Sequence, residues 1–250
     1  MLFRSTLEEG VNDKGIFKAV FLAGGTGSGK DYIMKRTMDG LGLKELNSDT
    51  AFEFLLKKNN MPLTMGDGDG DLRNLVRGRA VNITGTQDKL IIVGRLGVII
   101  NGTANDLEKI RTLKSKYESL GYDTMMVFVG TSNKTSRERN ISRGKEGGRT
   151  VPERIRFEKW AGSNKNKDLF KDLFGADRFI YVDNSIDLRT ASDAVKKSYD
   201  ATHTAVYKKV RTFVNSPIQN PKAKEWLTAE KRRRGISEMD EKFTNMLNEV

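Results

Sequence analysis

The chain contains no cysteine and a single histidine, His203. It can therefore form neither disulfides nor thiolate metal sites, and one histidine excludes a multi-histidine metal centre within a single chain. No apolar run approaches the roughly 20 residues that a membrane span needs, and the N-terminal residues lack the apolar core of a signal peptide. We therefore expect a soluble, cytoplasmic protein with no membrane partner.

Positive charge prevails, with 44 Lys and Arg against 33 Asp and Glu and a formal net charge of +11. This balance favours anionic ligands such as nucleotides, nucleic acid or phosphorylated metabolites. Basic clusters stand at residues 208–211 and 231–234. A solvated, basic helical tail explains these clusters better than a dedicated nucleic-acid arm, although either would bind DNA non-specifically.

Strand and helix patterns alternate along the first three quarters of the chain. Apolar runs predict strands over residues 17–23, 96–100, 122–129 and 178–182, with a brief strand or loop over 44–49. Helices are predicted over residues 31–41, 50–60, 106–120 and 134–143, from residue 153, and throughout the polar segment after 190. This alternation predicts an α/β fold, with a mostly parallel sheet and helices on both of its faces.

The first predicted strand leads into a glycine-rich loop, Ala23-Gly-Gly-Thr-Gly-Ser-Gly-Lys-Asp31. Its spacing of Gly, four residues and Gly-Lys is that of a phosphate-binding loop, the Walker A motif. Glycine lets the backbone curl until successive N–H groups face phosphate oxygens, and the lysine reaches the β- and γ-phosphates. The predicted nucleotide-binding residues are Gly24, Gly25, Thr26, Gly27, Ser28, Gly29, Lys30 and Asp31.

Asp31 occupies the position where Ser or Thr usually coordinates magnesium. A carboxylate is a hard oxygen ligand of similar reach, so we predict that Asp31 binds Mg²⁺ directly or through water. A capping role at the start of the following helix is the alternative.

Five further segments follow the loop in order: Leu46-Asn-Ser-Asp49, Ile99-Ile-Asn-Gly-Thr103, Gly121-Tyr122, Arg139-Asn-Ile-Ser-Arg143 and Gly147-Gly-Arg149-Thr-Val-Pro152. With them the chain resembles the zeta-toxin-like kinases, a branch of the P-loop nucleoside-kinase-like group, over about residues 17–183. The resemblance implies a P-loop kinase domain over residues 1–190, followed by a basic helical extension over 191–250. It also implies ATP and Mg²⁺ as cofactors and an inhibitory protein partner.

The implied reaction is ATP-dependent transfer of the γ-phosphoryl group to a hydroxyl of a nucleotide-like or sugar-nucleotide acceptor. Zeta-type relatives act on amino sugars linked to uridine diphosphate. The resemblance assigns the acceptor hydroxyl to Asp49, since a carboxylate can orient a hydroxyl and accept its proton. A helix N-cap is the alternative role of Asp49.

The resemblance also implies that arginines from a mobile lid act with Lys30 on the transferred group. The candidates are Arg139, Arg143 and Arg149, since guanidinium groups stabilise the charge that spreads over the phosphoryl oxygens. Arg139 and Arg143 are four residues apart and lie on one helical face. A solvated basic face is the alternative for any one of them.

Two features depart from the family pattern. Asn101 stands where related kinases often carry Asp or Glu, and we hypothesise that the carboxylate has moved to Asp31. Residues 61–97 do not align with the family. Asp67, Asp69 and Asp71 imitate half of a calcium loop, but position 78 is glycine where a glutamate belongs, so we expect no calcium there.

For the Gly-Asp segment over residues 66–71 we expect instead a flexible loop on the substrate side. The arginines Arg73, Arg77 and Arg79 could hold a phosphorylated acceptor there, with plain solvent exposure as the alternative. Elsewhere, we expect Trp160 and Trp226 to be packing anchors and His203 to lie on the surface.

Two other functions stay open at this point. One is a kinase that acts on nucleic acid, at a modified DNA base or a polynucleotide end, which the basic balance favours. The other is a nucleotide-binding regulatory or assembly protein that has lost catalysis, which Asp31 and Asn101 favour.

Overall fold

A computed structural model describes Val11, Asp13, residues 15–64 and residues 70–236. Asp67 and Asp69 of the calcium-like pattern lie outside the described residues. The strands are β1 (Lys18–Ala23), β2 (Lys44–Leu46), β3 (Val98–Gly102), β4 (Asp123–Gly130) and β5 (Phe179–Asp183). The helices are α1 (Lys30–Thr37), α2 (Ser48–Lys58), α3 (Asp71–Gly94), α4 (Leu107–Ser119), α5 (Asn133–Lys145), α6 (Glu153–Lys165), α7 (Lys167–Phe174), α8 (Asp193–Asn215) and α9 (Pro221–Arg233), with a 3₁₀ turn at Ala176–Arg178.

The five strands form one parallel sheet in the order β2-β3-β1-β4-β5. Strand β1 lies at the centre, and all six of its residues are buried. Its side chains alternate between two apolar layers: Phe21 enters one, and Val20 and Leu22 enter the other. A parallel sheet covered on both faces needs such continuous apolar strands. The predicted α/β fold is confirmed.

Helices cover both faces of the sheet. Residues of α4, α7, α9 and the end of α3 pack with Phe21, whereas residues of α1 and α8 pack with Val20 and Leu22. Helices α8 and α9 therefore bury apolar residues against the sheet. Trp226 contacts Phe17 edge to face at 5.4 Å between ring centroids, which agrees with its expected role as a packing anchor.

His203 is a correction to the sequence analysis. It is 2% exposed, whereas the polar sequence around it predicts a surface position. His203 shares a face of α8 with the buried Val206 and Val210, three and seven residues further on. Its Nδ1 donates to the carbonyl of Tyr199 at 2.6 Å. The side chain is buried because this face of the helix packs inward.

Helix α3 is the second correction. The sequence predicts no helix between residues 61 and 97, but residues 71–94 form a helix of 24 residues. Its Val76 and Ala80 form an apolar cluster with Phe52 and Leu56 of α2. This contact places one side of α3 next to the start of α2, where Asp49 is located. Among the described residues, no helix has the length and apolarity that crossing a bilayer requires.

Candidate active site

The phosphate-binding loop lies at the carboxyl end of the central strand β1 and leads into α1. The backbone at Gly27 and Gly29 is left-handed, with φ of 75° and 82°, which favours glycine. A Cβ at Gly29 would also collide with the side-chain amide of Asn184. The Ser28 hydroxyl is buried and has no hydrogen-bond partner among the described residues. The loop therefore has the tightly curled backbone that its glycine spacing predicts.

Lys30 folds back over this loop. Its ammonium donates to the carbonyl of Gly24 at 2.9 Å and to that of Gly25 at 3.4 Å. Burial lowers the pKa of Lys30 to about 8, and the positive charge of Arg143 contributes in the same direction. The hydrogen-bond partners of the Lys30 ammonium are thus carbonyl groups of the loop itself.

Asp31 is part of a small polar cluster with residues from β2 and β3. The side-chain amide of Asn101 donates to Asp31 at 3.1 Å and to Glu45 at 2.8 Å. Glu45 also accepts from the amide of Asn47 at 3.0 Å. The structure thus brings Asp31 and Asn101 together, as the hypothesis of a shifted carboxylate requires, and adds Glu45, which the sequence analysis misses.

Asp49 lies in the first turn of α2, and the N-cap of this helix is Asn47. One carboxylate oxygen of Asp49 contacts Arg77 at 2.6 Å, and the other contacts Arg149 at 2.8 Å. Burial raises the pKa of Asp49, but Arg149 and Arg77 outweigh this effect, so its pKa lies below the usual value. Asp49 is therefore an ionised carboxylate held by two guanidinium groups.

A cavity of about 680 Å³ joins these groups. Lys30, Asp31 and Asp49 all line it. Four further cations line it, namely Lys57, Arg143, Arg149 and Lys159. Burial lowers the pKa of Lys159. With Lys30, the five cations outnumber the three carboxylates of the lining, Asp31, Asp49 and Glu53, which suits an anionic ligand.

Arg139 is located differently from the other two predicted lid arginines. Its guanidinium donates to the carbonyls of Ser28 at 3.2 Å and Gly27 at 3.5 Å, and to that of Ile186 at 3.4 Å. The structure therefore brings Arg143 and Arg149 to the cavity but places Arg139 against the backbone of the loop.

Asn184 and Tyr199 support the same loop and are missed by the sequence analysis. The buried amide of Asn184 donates to the Ser28 carbonyl at 2.7 Å and accepts from the Tyr199 hydroxyl at 2.5 Å. A polar residue at the carboxyl end of a parallel strand is the signal that could have indicated Asn184, since it directly follows β5. Trp160 contacts the loop from another side, and a Cβ at Gly25 would lie 2.8 Å from its Cα.

Comparison with known proteins identifies the family. A family model described as Zeta toxin matches residues 65–214, more than half of the chain. The chain belongs to the zeta toxin family. This match begins just before α3, so the helix that the sequence analysis leaves unaligned lies within the part that carries the family signal.

The chain is also similar to solved structures. A protein from Chloroflexus aurantiacus, described as a candidate kinase, superposes with a TM-score of 0.54 at 14% identity and covers 79% of this zeta toxin family chain and 98% of its own. A structure of the PezAT toxin–antitoxin system of Streptococcus pneumoniae has a TM-score of 0.47 at 14% identity and covers 80% of this chain and 88% of its own. Shikimate kinase from Acinetobacter baumannii has a TM-score of 0.41 at 14% identity and covers 80% of this chain and 97% of its own. No curated protein sequence matches the chain. The family and the fold are those of P-loop phosphotransferases that bind a nucleotide.

Proposed function

We propose that this protein is an ATP-dependent kinase that transfers the γ-phosphoryl group to a hydroxyl of a small acceptor. One observation carries the proposal: Lys30 and Asp49 line a single cavity together with Arg143, Arg149 and Lys159. Phosphoryl transfer needs a grip on the triphosphate, cations for the charge that spreads over the transferred group and a carboxylate for the acceptor. The cavity contains a candidate for each role.

In this proposal the loop from Gly24 to Asp31 binds the triphosphate, and Lys30 contacts its outer phosphates. Arg143, Arg149 and Lys159 offset the charge on the transferred group. Arg139 has a positioning role, because it holds the loop backbone rather than the cavity.

Asp49 orients the acceptor hydroxyl. The bond between the acceptor oxygen and the γ-phosphorus forms as the bond to the β-phosphate oxygen breaks, and the hydroxyl proton passes to the Asp49 carboxylate. Its lowered pKa keeps Asp49 ionised at neutral pH. Orientation of the hydroxyl is therefore its main contribution, since a weakly basic carboxylate takes the proton only late in the transfer.

The residues present also fit a magnesium ion. Mg²⁺ is usually bound by one or two carboxylates together with substrate phosphates and water. Asp31 and Glu45 supply two carboxylates linked through Asn101, beside the loop. Among the described residues, no group of three or more His, Asp or Glu side chains has metal-binding geometry, so phosphate oxygens would complete the coordination. When bound, the ion would neutralise charge on the phosphates.

Transfer of labelled γ-phosphate from ATP to a panel of hydroxyl compounds tests the proposal. The panel includes the nucleotide-like and sugar-nucleotide acceptors that the family resemblance implies. Lys30→Ala should weaken ATP binding, whereas Asp49→Asn should keep ATP binding and lose transfer. Lys35→Ala, a change of an exposed lysine on the same helix, is the matched control and should change neither. Full transfer by Asp49→Asn would refute the role of this carboxylate.

A nucleic-acid acceptor is the second candidate, and α8 supplies the observation that favours it. Lys208, Lys209 and Arg211 are exposed, while Val206 and Val210 on the same helix are buried. Transfer to oligonucleotides with a strong salt dependence would support this candidate. ATP binding without transfer to any acceptor would support a regulatory protein instead. An inhibitory protein partner also remains a proposal.

A further inference from the structure

A second cavity, of about 400 Å³, lies next to Asp49 on the side away from the loop. Helices α3 and α4 and the carboxyl ends of β1 and β3 enclose it. The two cavities meet at shared residues: Asn47, Asp49, Asn101, Gly102 and Thr103. A molecule in this second cavity could therefore present a hydroxyl to Asp49 while a triphosphate occupies the first. We call it the acceptor cavity.

The walls of the acceptor cavity are largely apolar. Aromatic and aliphatic side chains from all four enclosing elements contribute, including Phe21, Val81, Ile100, Ile110, Leu113 and Tyr117. Phe21, Ile110 and Tyr117 are at most 8% exposed and belong to the main apolar core. Such walls bind a ligand mainly by removing its apolar surface from water.

The charges of the acceptor cavity differ in sign from those of the first cavity. Its charged lining residues are three aspartates, Asp49, Asp88 and Asp106, with Arg77 and Lys109. Arg77 contacts Asp49 at 2.6 Å, and Lys109 lies exposed at the rim. A phosphorylated acceptor would need Arg or Lys donors for each phosphate, yet here it would face more carboxylates than cations.

The far end of the acceptor cavity is closed by polar groups that are already paired. Asp88 accepts from the Tyr117 hydroxyl and from the Lys116 ammonium. Asp106 accepts from the backbone N–H of Lys109 at 3.0 Å as the N-cap of α4. These carboxylates serve the structure itself, and neither supplies a hydrogen-bond donor to an anion.

We propose that the acceptor is an uncharged compound that carries its hydroxyl on a largely apolar or aromatic body, a nucleoside or smaller, and not a phosphorylated molecule. The phosphorylation of this compound rests on the proposed kinase function, but its binding does not. The proposal differs from the sugar-nucleotide acceptor that the family resemblance implies.

Gly85 provides a way to block the acceptor cavity alone. It lines this cavity from α3, and a Cβ placed on it meets no atom within 4 Å. Gly78 on the same helix also has open space around its Cβ position, but it does not line the cavity. Leucine at either position improves helix propensity over glycine, so both variants should fold. Gly85→Leu fills the cavity, and Gly78→Leu is its matched control.

Ligand-observed NMR on the full chain, saturated with magnesium and a non-hydrolysable ATP analogue, measures binding of matched probe pairs. Each pair is a nucleoside with its monophosphate, or a hydroxymethyl-substituted aromatic with its phosphate ester. We expect the uncharged member to bind at least about tenfold more tightly than its phosphorylated partner. We expect Gly85→Leu to weaken this binding at least about tenfold and Gly78→Leu to leave it within about twofold.

Three results would overturn the inference: tighter binding of the phosphorylated members, no binding of any uncharged member, or binding that Gly85→Leu leaves unchanged. Transfer of labelled phosphate from ATP, measured separately on the same compounds, tests the proposed function. Transfer to phosphorylated acceptors would uphold the kinase and overturn the inference. Uncharged probes that bind in a Gly85-dependent way without transfer would uphold the inference and count against the kinase.

Discussion

The protonation of Lys30 gives a sharp test of how the loop engages a triphosphate. In the ligand-free protein, burial lowers the pKa of Lys30 to about 8. A bound triphosphate brings several negative charges next to the ammonium and favours its charged form, so binding should raise this pKa again. Nucleotide binding should therefore take up protons, and lower pH should favour it across the range in which Lys30 titrates.

The size of the effect follows from the pKa of about 8. Binding should take up about 0.1 proton at pH 7, about 0.5 at pH 8 and about 0.9 at pH 9. The observed affinity should fall about 20-fold between pH 7.5 and 9.5. The terminal phosphate titrates near pH 6, so its own ionisation is complete over this window.

Isothermal titration calorimetry with a non-hydrolysable ATP analogue, in buffers of different ionisation enthalpy, measures the uptake directly. Lys30→Met should bind more weakly and lose the uptake at pH 8. Lys35→Met is the matched control, because Lys35 is exposed on the same helix and does not line the cavity, so it should keep both the affinity and the uptake. Equal proton uptake by the wild type and Lys30→Met at pH 8 would refute the assignment of Lys30 to the phosphates.

Two further variants test Asp49 and the loop backbone. Burial raises the pKa of Asp49, but Arg149 and Arg77 lower it by more. Arg77→Met should therefore raise this pKa, so that the transfer rate begins to fall at a higher pH on acidification. A pH–rate profile in which the acidic fall stays at the wild-type pH would contradict this. Gly29→Ala should abolish nucleotide binding, because the methyl group adds a collision with Asn184 to the strain at φ 82°. Gly40→Ala is the control, because Gly40 has φ 73° but open space around its Cβ position. It should cost about 1 kcal/mol of unfolding free energy and keep nucleotide binding in calorimetry. Equal loss of binding in both variants would contradict the explanation by a collision with Asn184.

The parts of the site that could be predicted from the sequence are those with local signals. Strand β1 is apolar along its whole length, and the glycine spacing of residues 24–30 is visible without knowledge of the fold. Asp49 could be placed because it closely follows a short strand whose carboxyl end meets the same edge of the sheet. Chain order alone carries this information in a parallel sheet.

Helix α3 could not be predicted because tertiary packing outweighs its local sequence. Gly78 and Gly85 interrupt it, and β-branched residues lower its propensity further. Leu72, Leu90 and Val93 are apolar but exposed, so the hydrophobic periodicity that would identify a helix is weak. The helix forms because Val76 and Ala80 pack on α2, a contact that no local pattern shows.

Contacts between distant residues were equally hidden. Asn184 holds the carbonyl of Ser28, 156 residues earlier in the chain, and Arg77 reaches Asp49 across 28 residues. The sequence around Arg77 does not indicate Asp49 as its partner, and the position of Asn184 after a strand does not indicate that it supports the loop. Only the sheet order, which places β4 between β1 and β5, brings Asn184 under the loop.

The family match and the phosphate-binding loop are independent evidence that converges on one site. The match covers residues 65–214 and leaves out the loop at residues 24–31, so neither finding depends on the other. In the structure, β1 carries the loop between β3 and β4, which both lie inside the matched range. The matched part supplies Arg143, Arg149 and Lys159 to the cavity, and the unmatched part supplies Lys30 and Asp49. Because a cavity built by both parts requires both to be placed correctly, their agreement supports the phosphotransferase assignment more strongly than either finding alone.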